Sequence, residues 1–598
     1  MKKIFFIILS VFSLSFLNVY AEETTTATIE NTNEEISTIQ EEIYVASVDN
    51  EKFTSFDEAL KYAVDNKIET ITLLLDTEAK GINISQNITV EGNNHTLSFN
   101  EKGIALFGST LTFNNTTIET KGVGSTPYGE WNWQTISASK NANLILNNSK
   151  MTLDGKGTNS NVHAIYFGSN NKLNLTNSTL TIKNYNQDAL EWDGGNGGYN
   201  VNLTNSTYIS DHNRSGFTGT FYATFDNSTV KVLNSAGNGS NGTYFTIKNN
   251  SNVTFENNNT WGISAWRIDM TDNSTLTANN NGYSGIWTRV LNVDSTCKLY
   301  VTENGKKAPT TGTNAGIIFF GNGKYSSTIE KGAEVIIKNN AGSGIFTKQK
   351  VCNLTILSGE ITNNGTGLVN ANNLGADLGG GIYNIGTMII GEDVNIYNNH
   401  ASLAADDIYN AEGATITFEE TKEDWVLDDC NDKINAWYDD SDNNRWNAHT
   451  DEEDKLHTEK VKSGSVESKL TIKAAHNLKA KVIAHYVDQD GNKIADDEII
   501  NGYVDDAYKT IQKLIEGYEF DKVEGNTEGI MTIKDIEVTY IYEFVKGEGD
   551  GEDPEEPKKE EKPYTGVYTS SLNIIPFALS LSLGSFLVLN RKKIIKEN

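Results

Sequence analysis

The sequence predicts a mainly β chain organised around a right-handed parallel β-helix, with a capping helix at its N-terminal end and a small β-rich module after it. Three observations carry this expectation. First, Asn177-Ser178-Thr179, Asn205-Ser206-Thr207, Asn227-Ser228-Thr229, Asn250-Ser251-Asn252 and Asn273-Ser274-Thr275 recur at intervals of 28, 22, 23 and 23 residues. Asp294-Ser295-Thr296 continues the series. Second, each unit is flanked by alternating apolar residues, such as Leu173, Leu175, Leu180 and Ile182, or Val201, Leu203, Tyr208 and Ile209. Alternation of this kind is the period of a strand with one buried face. Third, a small residue followed by an apolar pair keeps the same beat, in His163-Ala164-Ile165-Tyr166, Ser284-Gly285-Ile286-Trp287, Ser343-Gly344-Ile345-Phe346 and Gly380-Gly381-Ile382-Tyr383. A short period with several brief strands and Asn/Gly corners describes a solenoid, and leucine is too sparse for a leucine-rich repeat. Asparagine tolerates the left-handed corner conformation, and stacked Asn, Ser and Thr side chains can satisfy one another along the axis.

The remaining elements follow in chain order. Residues 1–21 read as a secretory signal: Lys2 and Lys3, an apolar stretch from Ile4 to Leu17, and Val19-Tyr20-Ala21 before the expected cleavage. Residues 22–49 form a polar lead. The solenoid is expected over residues 50–420. At its start, Phe56, Leu60 and Ala63 have helical spacing, and the strand Thr70-Ile71-Thr72-Leu73-Leu74-Leu75 comes next. Such a helix would close the open end of the first coil against edge pairing. The last clear repeats are Gly379-Gly380-Gly381-Ile382-Tyr383-Asn384 and Asp407-Ile408-Tyr409-Asn410, and residues 421–475, dense in Trp, Asp and Asn between Trp425 and His449, are expected to close the far end.

Residues 476–546 change character, with Lys481-Val482-Ile483-Ala484-His485-Tyr486-Val487 running into an Asp-Gly turn at Asp490-Gly491, then Glu516-Gly517-Tyr518-Glu519-Phe520 and Val538-Thr539-Tyr540-Ile541-Tyr542. Residues 547–561 are an acidic, proline-containing spacer. Residues 562–598 hold Lys562-Pro563-Tyr564-Thr565-Gly566, an apolar run from Leu572 to Leu589, and a basic tail of Arg591, Lys592 and Lys593.

Three of these segments resemble known families. Asn87 to Leu97 resembles the first coil of pectin-lyase-like β-helices, a fold that hosts polysaccharide lyases and hydrolases as well as plain adhesins. Residues 476–546 resemble the mucin-binding-protein (MucBP) repeat of Gram-positive surface proteins, which implies attachment to host mucin or another glycoprotein glycan, or service as a stalk. The C-terminal triplet of motif, apolar run and basic tail resembles a Gram-positive sortase sorting signal. Carried over, Pro563, Thr565 and Gly566 match that motif, Lys562 departs from its usual Leu, and the implied partners are a sortase transpeptidase, cutting after Thr565, and peptidoglycan. Physically, the apolar run would hold the chain in the bilayer while the basic tail stays inside.

Composition narrows the function. With 79 acidic and 49 basic residues the formal net charge is -30, which repels nucleic acid. Cys297, Cys352 and Cys430 are scattered, with no disulfide framework and no cysteine metal motif, and no cofactor or metal site is read from the sequence. Two sets of side chains are candidates for chemistry or binding. Asp188, Glu191 and Asp193, one coil before Arg214, could supply an acid and a base for glycoside cleavage, with Arg214 neutralising a uronate. Charged positions on a coil surface are also the ordinary state of an acidic protein, so these are weighed chiefly as solvated charges. The other set is an outward column running through Tyr166, Glu191, Thr218, Ser264, Trp287, Phe346 and Tyr383, with Trp266 and Arg289 two positions further on. Tyr166, Trp266, Trp287 and Arg289 are its candidate ligand-binding residues, since aromatic faces stack on sugars; core packing is the alternative for each, because a one-residue slip in register would turn the same aromatics inward. The expected function is a cell-wall-anchored adhesin, with a surface polysaccharide lyase or glycoside hydrolase, or a coat protein with no specific ligand, as alternatives.

Overall fold

The computed structural model describes residues 42–128, 133–168, 170–192, 198–219, 221–321, 325–419, 437–441, 464–467, 469–474, 479–503, 507–531 and 535–545. The signal segment, the sorting motif with its apolar run, the acidic spacer, Asp193, Cys430 and most of the closing segment lie outside them.

The repeat folds as a parallel β-helix whose coils present three faces. On the first face His163–Phe167 pairs in parallel with Leu190–Trp192, which pairs with Phe217–Thr218. On the second, Lys172–Thr176 pairs with Tyr199–Thr204, and on the third Thr179–Lys183 pairs with Thr207–Asp211. The same three ladders continue to Ile408–Asn410, Thr415–Phe418 and Thr387–Tyr397. Along each strand the alternate residues point in, so Leu173, Leu175, Leu180, Ile182, Val201 and Leu203 are buried in one continuous core. Tyr208 is buried as well, while its neighbour Ile209 faces outward and Ser210 takes the inner place. Cys297 and Cys352 are unpaired buried thiols.

The Asn-Ser-Thr unit is a corner. Asn177, Asn205, Asn227, Asn250 and Asn273 all adopt left-handed backbone, with φ of 48°, 51°, 46°, 62° and 59°. The short polar side chain makes this conformation affordable for a residue other than Gly. The serine that follows is buried, and its hydroxyl accepts the backbone N–H of the serine one coil before. Ser149 N donates to Ser178 Oγ (3.0 Å), Ser178 N to Ser206 Oγ (3.1 Å), Ser206 N to Ser228 Oγ (3.1 Å) and Ser228 N to Ser251 Oγ (3.0 Å). The threonine then opens the next strand. Asp294-Ser295-Thr296 does not extend this column: Thr275 pairs with Lys298, which sets Cys297 above Ser274. The Asp294 carboxylate receives the N–H and hydroxyl of Thr296, both at 2.8 Å, and that local turn displaces the triplet.

A second corner, between the third and first faces, carries a buried asparagine ladder. Asn258, Asn281, Asn304, Asn340, Asn364 and Asn399 each donate Nδ2 to the side-chain oxygen of the next, ending on Asp407, at 2.8–2.9 Å. Each of these oxygens also accepts the backbone N–H of the preceding rung, and Nδ2 of Asn281 and those after it bonds a carbonyl of an earlier coil, as Asn304 does with Ala278 O at 2.9 Å. Both polar atoms of each of these asparagine side chains, closed off from water, are thereby used.

The ends are closed by different devices. The helix Phe56–Asn66 starts on Ser55, whose hydroxyl accepts Glu58 N at 3.2 Å, and buries Phe56, Ala59, Leu60 and Ala63 against the first strands. Asp57 accepts the N–H of Lys80 at 3.0 Å and ties the helix to the first coil. The strand Ala46–Val48 pairs antiparallel with Thr70–Leu73, so ordered structure starts shortly ahead of residue 50. At the far end Leu470–Ala474 and Gly464–Val466 run antiparallel to the last coil and end its parallel edge.

The C-terminal module is a separate four-stranded sheet. Lys479–Asp488 lies between Lys493–Tyr503, antiparallel, and Ile536–Phe544, parallel, with Tyr518–Glu524 at the other edge. Val482, Ala484, Tyr486, Val538, Tyr540 and Tyr542 form its buried face. Gly491, at φ 84°, makes the expected tight turn.

Candidate functional site

The outward column of the first face is a real stack. Tyr166 pairs with Glu191, Glu191 with Thr218, Ser264 with Trp287, and Phe346 with Tyr383. Asn241, Ile318 and Tyr409 complete it. Two clusters lie along this face, and they are distinct.

The first surrounds Asp188, which is wholly buried. Arg214 grips both of its oxygens, Nε on Oδ1 at 2.9 Å and Nη2 on Oδ2. His163 Nδ1 is 3.6 Å from Asp188 and 4.0 Å from Glu191. The protonation pattern follows from these neighbours. Burial opposes ionisation of Asp188, but the Arg214 guanidinium outweighs it and holds the carboxyl below its usual range. Burial, and then the Asp188 carboxylate alongside, push Glu191 up to about 9. Burial lowers His163, with Asp188 opposing and Arg214 assisting. At neutral pH the cluster therefore holds a protonated Glu191, an ionised Asp188 and a neutral His163. Asp188, Glu191 and Arg214 come together, but Asp188 is wholly buried on Arg214 and not a solvated surface charge as expected, and Asp193 lies outside the described residues.

His163 was missed as a member, although its signal is present. His163-Ala164-Ile165 and Asp188-Ala189-Leu190 align on their small and apolar residues, and the structure sets those triplets side by side. Trp133 covers the cluster, its ring edge-on to His163 at 5.8 Å and to Tyr166 at 4.5 Å. One ligand atom from each of His163, Asp188 and Glu191 falls within 4.8 Å of the others, as a metal would require. Arg214 already occupies both Asp188 oxygens, so a cation there would face a guanidinium, and this donor set fits a metal poorly. His163 Nδ1, Glu191 Oε2 and both polar atoms of the buried Gln134 side chain lie out of contact with solvent and without a hydrogen-bond partner.

The second cluster lies several coils further on. Trp266 and Arg289 occupy adjacent rungs, and the Arg289 Cζ stands 3.9 Å from the Trp266 ring centroid. Phe320 and Tyr325 flank the guanidinium at 5.6 and 6.0 Å. Phe320 continues to Trp287 at 5.3 Å, Trp261 packs edge-on to Trp287 at 5.5 Å, and Lys348 Nζ sits 4.5 Å from the Trp287 centroid. Tyr222 and Tyr244 stack beside them, 4.9 Å apart. Trp266, Trp287 and Arg289 thus form one ledge, whereas Tyr166 belongs with Trp133 and His163. Phe320 and Lys348 escaped sequence reasoning because neither sits in the repeat positions that were aligned.

The chain is a β-helix protein carrying one further module of recognisable family. A MucBP domain model matches residues 481–543. Over 61 residues the chain is 39% identical to Internalin J of Listeria monocytogenes serovar 1/2a, which is 10% of this chain and 7% of that relative. Internalin J of Listeria monocytogenes serotype 4b is 38% identical over 61 residues, again 7% of its length. Among solved structures, the crystal structure of the periplasmic alginate epimerase AlgG is similar at 13% identity and a TM-score of 0.19, covering 62% of this chain and 80% of that one. The β-helix accordingly rests on the strand ladders of the chain itself.

Proposed function

We propose that this chain is a surface adhesin that presents a rigid β-helix and a MucBP module to host mucin or other glycoprotein glycans. The MucBP match over residues 481–543 carries the reading. The aromatic ledge of Trp266 and Trp287 supports it, because sugars are held by ring faces and by charged donors at their rims. In this reading the chain is exported by its signal segment, cut by a sortase after Thr565 and joined to peptidoglycan, so that many weak contacts act together as avidity. The order of the Pro563-Thr565-Gly566 motif, apolar run and basic tail supports that placement.

The test is retention of the exported chain, and of a variant lacking residues 476–546, on immobilised mucin, with the glycan inspected for new reducing or unsaturated ends. Retention without product, weakened by the deletion, is expected. Thr565→Ala is expected to move the chain from the wall fraction to the membrane fraction, and an unchanged wall fraction would exclude sortase attachment.

One observation favours a second reading, a polysaccharide-processing enzyme: a protonated Glu191 beside an ionised Asp188 and a neutral His163 is an arrangement that can give and take protons. Product release abolished by Glu191→Gln would establish it in place of the adhesin.

A further inference from the structure

The ledge carries information about the charge of its ligand. Three arginines fall among the described residues. Arg214 is paired with Asp188 and Arg267 with Asp269, while Arg289 has no carboxylate within ion-pair distance among the described residues. In a chain with 79 acidic residues to 49 basic ones, an arginine without a carboxylate is the exception that needs a reason. Its Nε lies out of solvent contact with no acceptor, so ring faces hold the guanidinium, and no hydrogen bond from it to a described residue is present. Its terminal amino groups also have no carboxylate within ion-pair distance among the described residues. Lys348, exposed and likewise without an ion-pair partner among the described residues, is held over Trp287 in the same way.

This arrangement changes what the tryptophans offer. Trp266 and Trp287 each have a ring face covered by a cation, so the ledge presents two oriented positive groups on aromatic supports, joined through Phe320. A guanidinium fixed in plane loses little entropy on binding and matches the two oxygens of a carboxylate. We infer that the ledge of Trp266, Arg289, Phe320, Trp287 and Lys348 is a binding site for a saccharide bearing a carboxylate, with Arg289 taking the carboxylate and Lys348 a second oxygen. This deepens the adhesin reading and rests on it.

The experiment uses the full chain and three defined probes, sialyllactose, lactose and a sulfated lactose, with binding followed by calorimetry or ligand-observed NMR. Sialyllactose is expected to bind at least about tenfold more tightly than lactose, as one charge-assisted contact supplies. Arg289→Gln is expected to bring sialyllactose to the lactose level. Arg289→Lys keeps the charge without the planar fork and is expected to fall between. Lys348→Gln changes an exposed side chain that cannot unfold the coil, and a loss of several-fold is expected there.

Equal binding of sialyllactose and lactose overturns the inference, as does sialyllactose binding untouched by both Arg289→Gln and Lys348→Gln. Preference for the sulfated probe overturns the carboxylate assignment. Mucin retention in the assay of the preceding section reports on the adhesin reading independently: retention together with a failed probe series removes this site and leaves the adhesin standing.

Discussion

Glu191 is a carboxyl that folding makes harder to ionise. Its pKa rises from 4.5 to about 9, so the folded chain keeps a proton that the unfolded chain gives up within that window. Stability from this group therefore falls as pH rises between those values, by up to about 1.4 kcal/mol per pH unit. Asp188 works in the opposite sense, since Arg214 lowers its pKa and its contribution is lost as pH falls below the usual aspartate range. Glu191→Gln is expected to melt above the parent at pH 8 and close to it at pH 5. Parallel melting curves across that range, measured by circular dichroism, would show that Glu191 is an ordinary surface carboxylate. A comparable contrast separates the two kinds of asparagine. Asn177 serves its backbone angle, so Asn177→Gly is expected to cost a few tenths of a kcal/mol and Asn177→Ala about 1 kcal/mol. Asn304 serves its side chain. Asn304→Ala strips the acceptor from Asn281 N and Nδ2 and is expected to cost about 3 kcal/mol or more in denaturant unfolding.

At the scale of elements, the strands and the helix were legible because each carries its own period. Phe56, Leu60 and Ala63 mark the buried helical face, and Leu173, Leu175, Leu180 and Ile182 mark the inner side of two strands. The capping role of the helix gives a prediction. Leu60→Glu places a charge on the face packed against the first coil and should release that end for edge pairing, seen as oligomers by light scattering. Ser55→Ala removes only the N-cap and is expected to cost about 1 kcal/mol without oligomers. The asparagine ladder was not legible, because runs such as Asn280-Asn281 look the same whether one residue turns the corner and the next is buried or both are solvated. Left-handed backbone at Asn280, φ 59°, and burial of Asn281 settle the division of labour. The site shows the same limit. Trp266 and Arg289 could be aligned by counting, but the cations on the ring faces depend on side-chain direction, and Phe320 and Lys348 enter from stretches where the coil departs from its usual length.

For the molecule as a whole, the coils differ in what decorates them and share what joins them. A copy of residues 259–281 placed after Asn281 would meet an asparagine on either side at the right rung. The lengthened chain is expected to remain monomeric and to melt within a few degrees of the parent. The same copy placed after Asp407 is expected to fail, with soluble yield and thermal melting as the readouts. The reason lies in the direction of the ladder: each asparagine of this buried column hands one amide hydrogen to the side-chain oxygen of the next rung, and the Asp407 side chain, with oxygens only, has none to pass on. Tandem duplication of coding sequence can thus lengthen this molecule from within, while a single carboxylate writes its full stop.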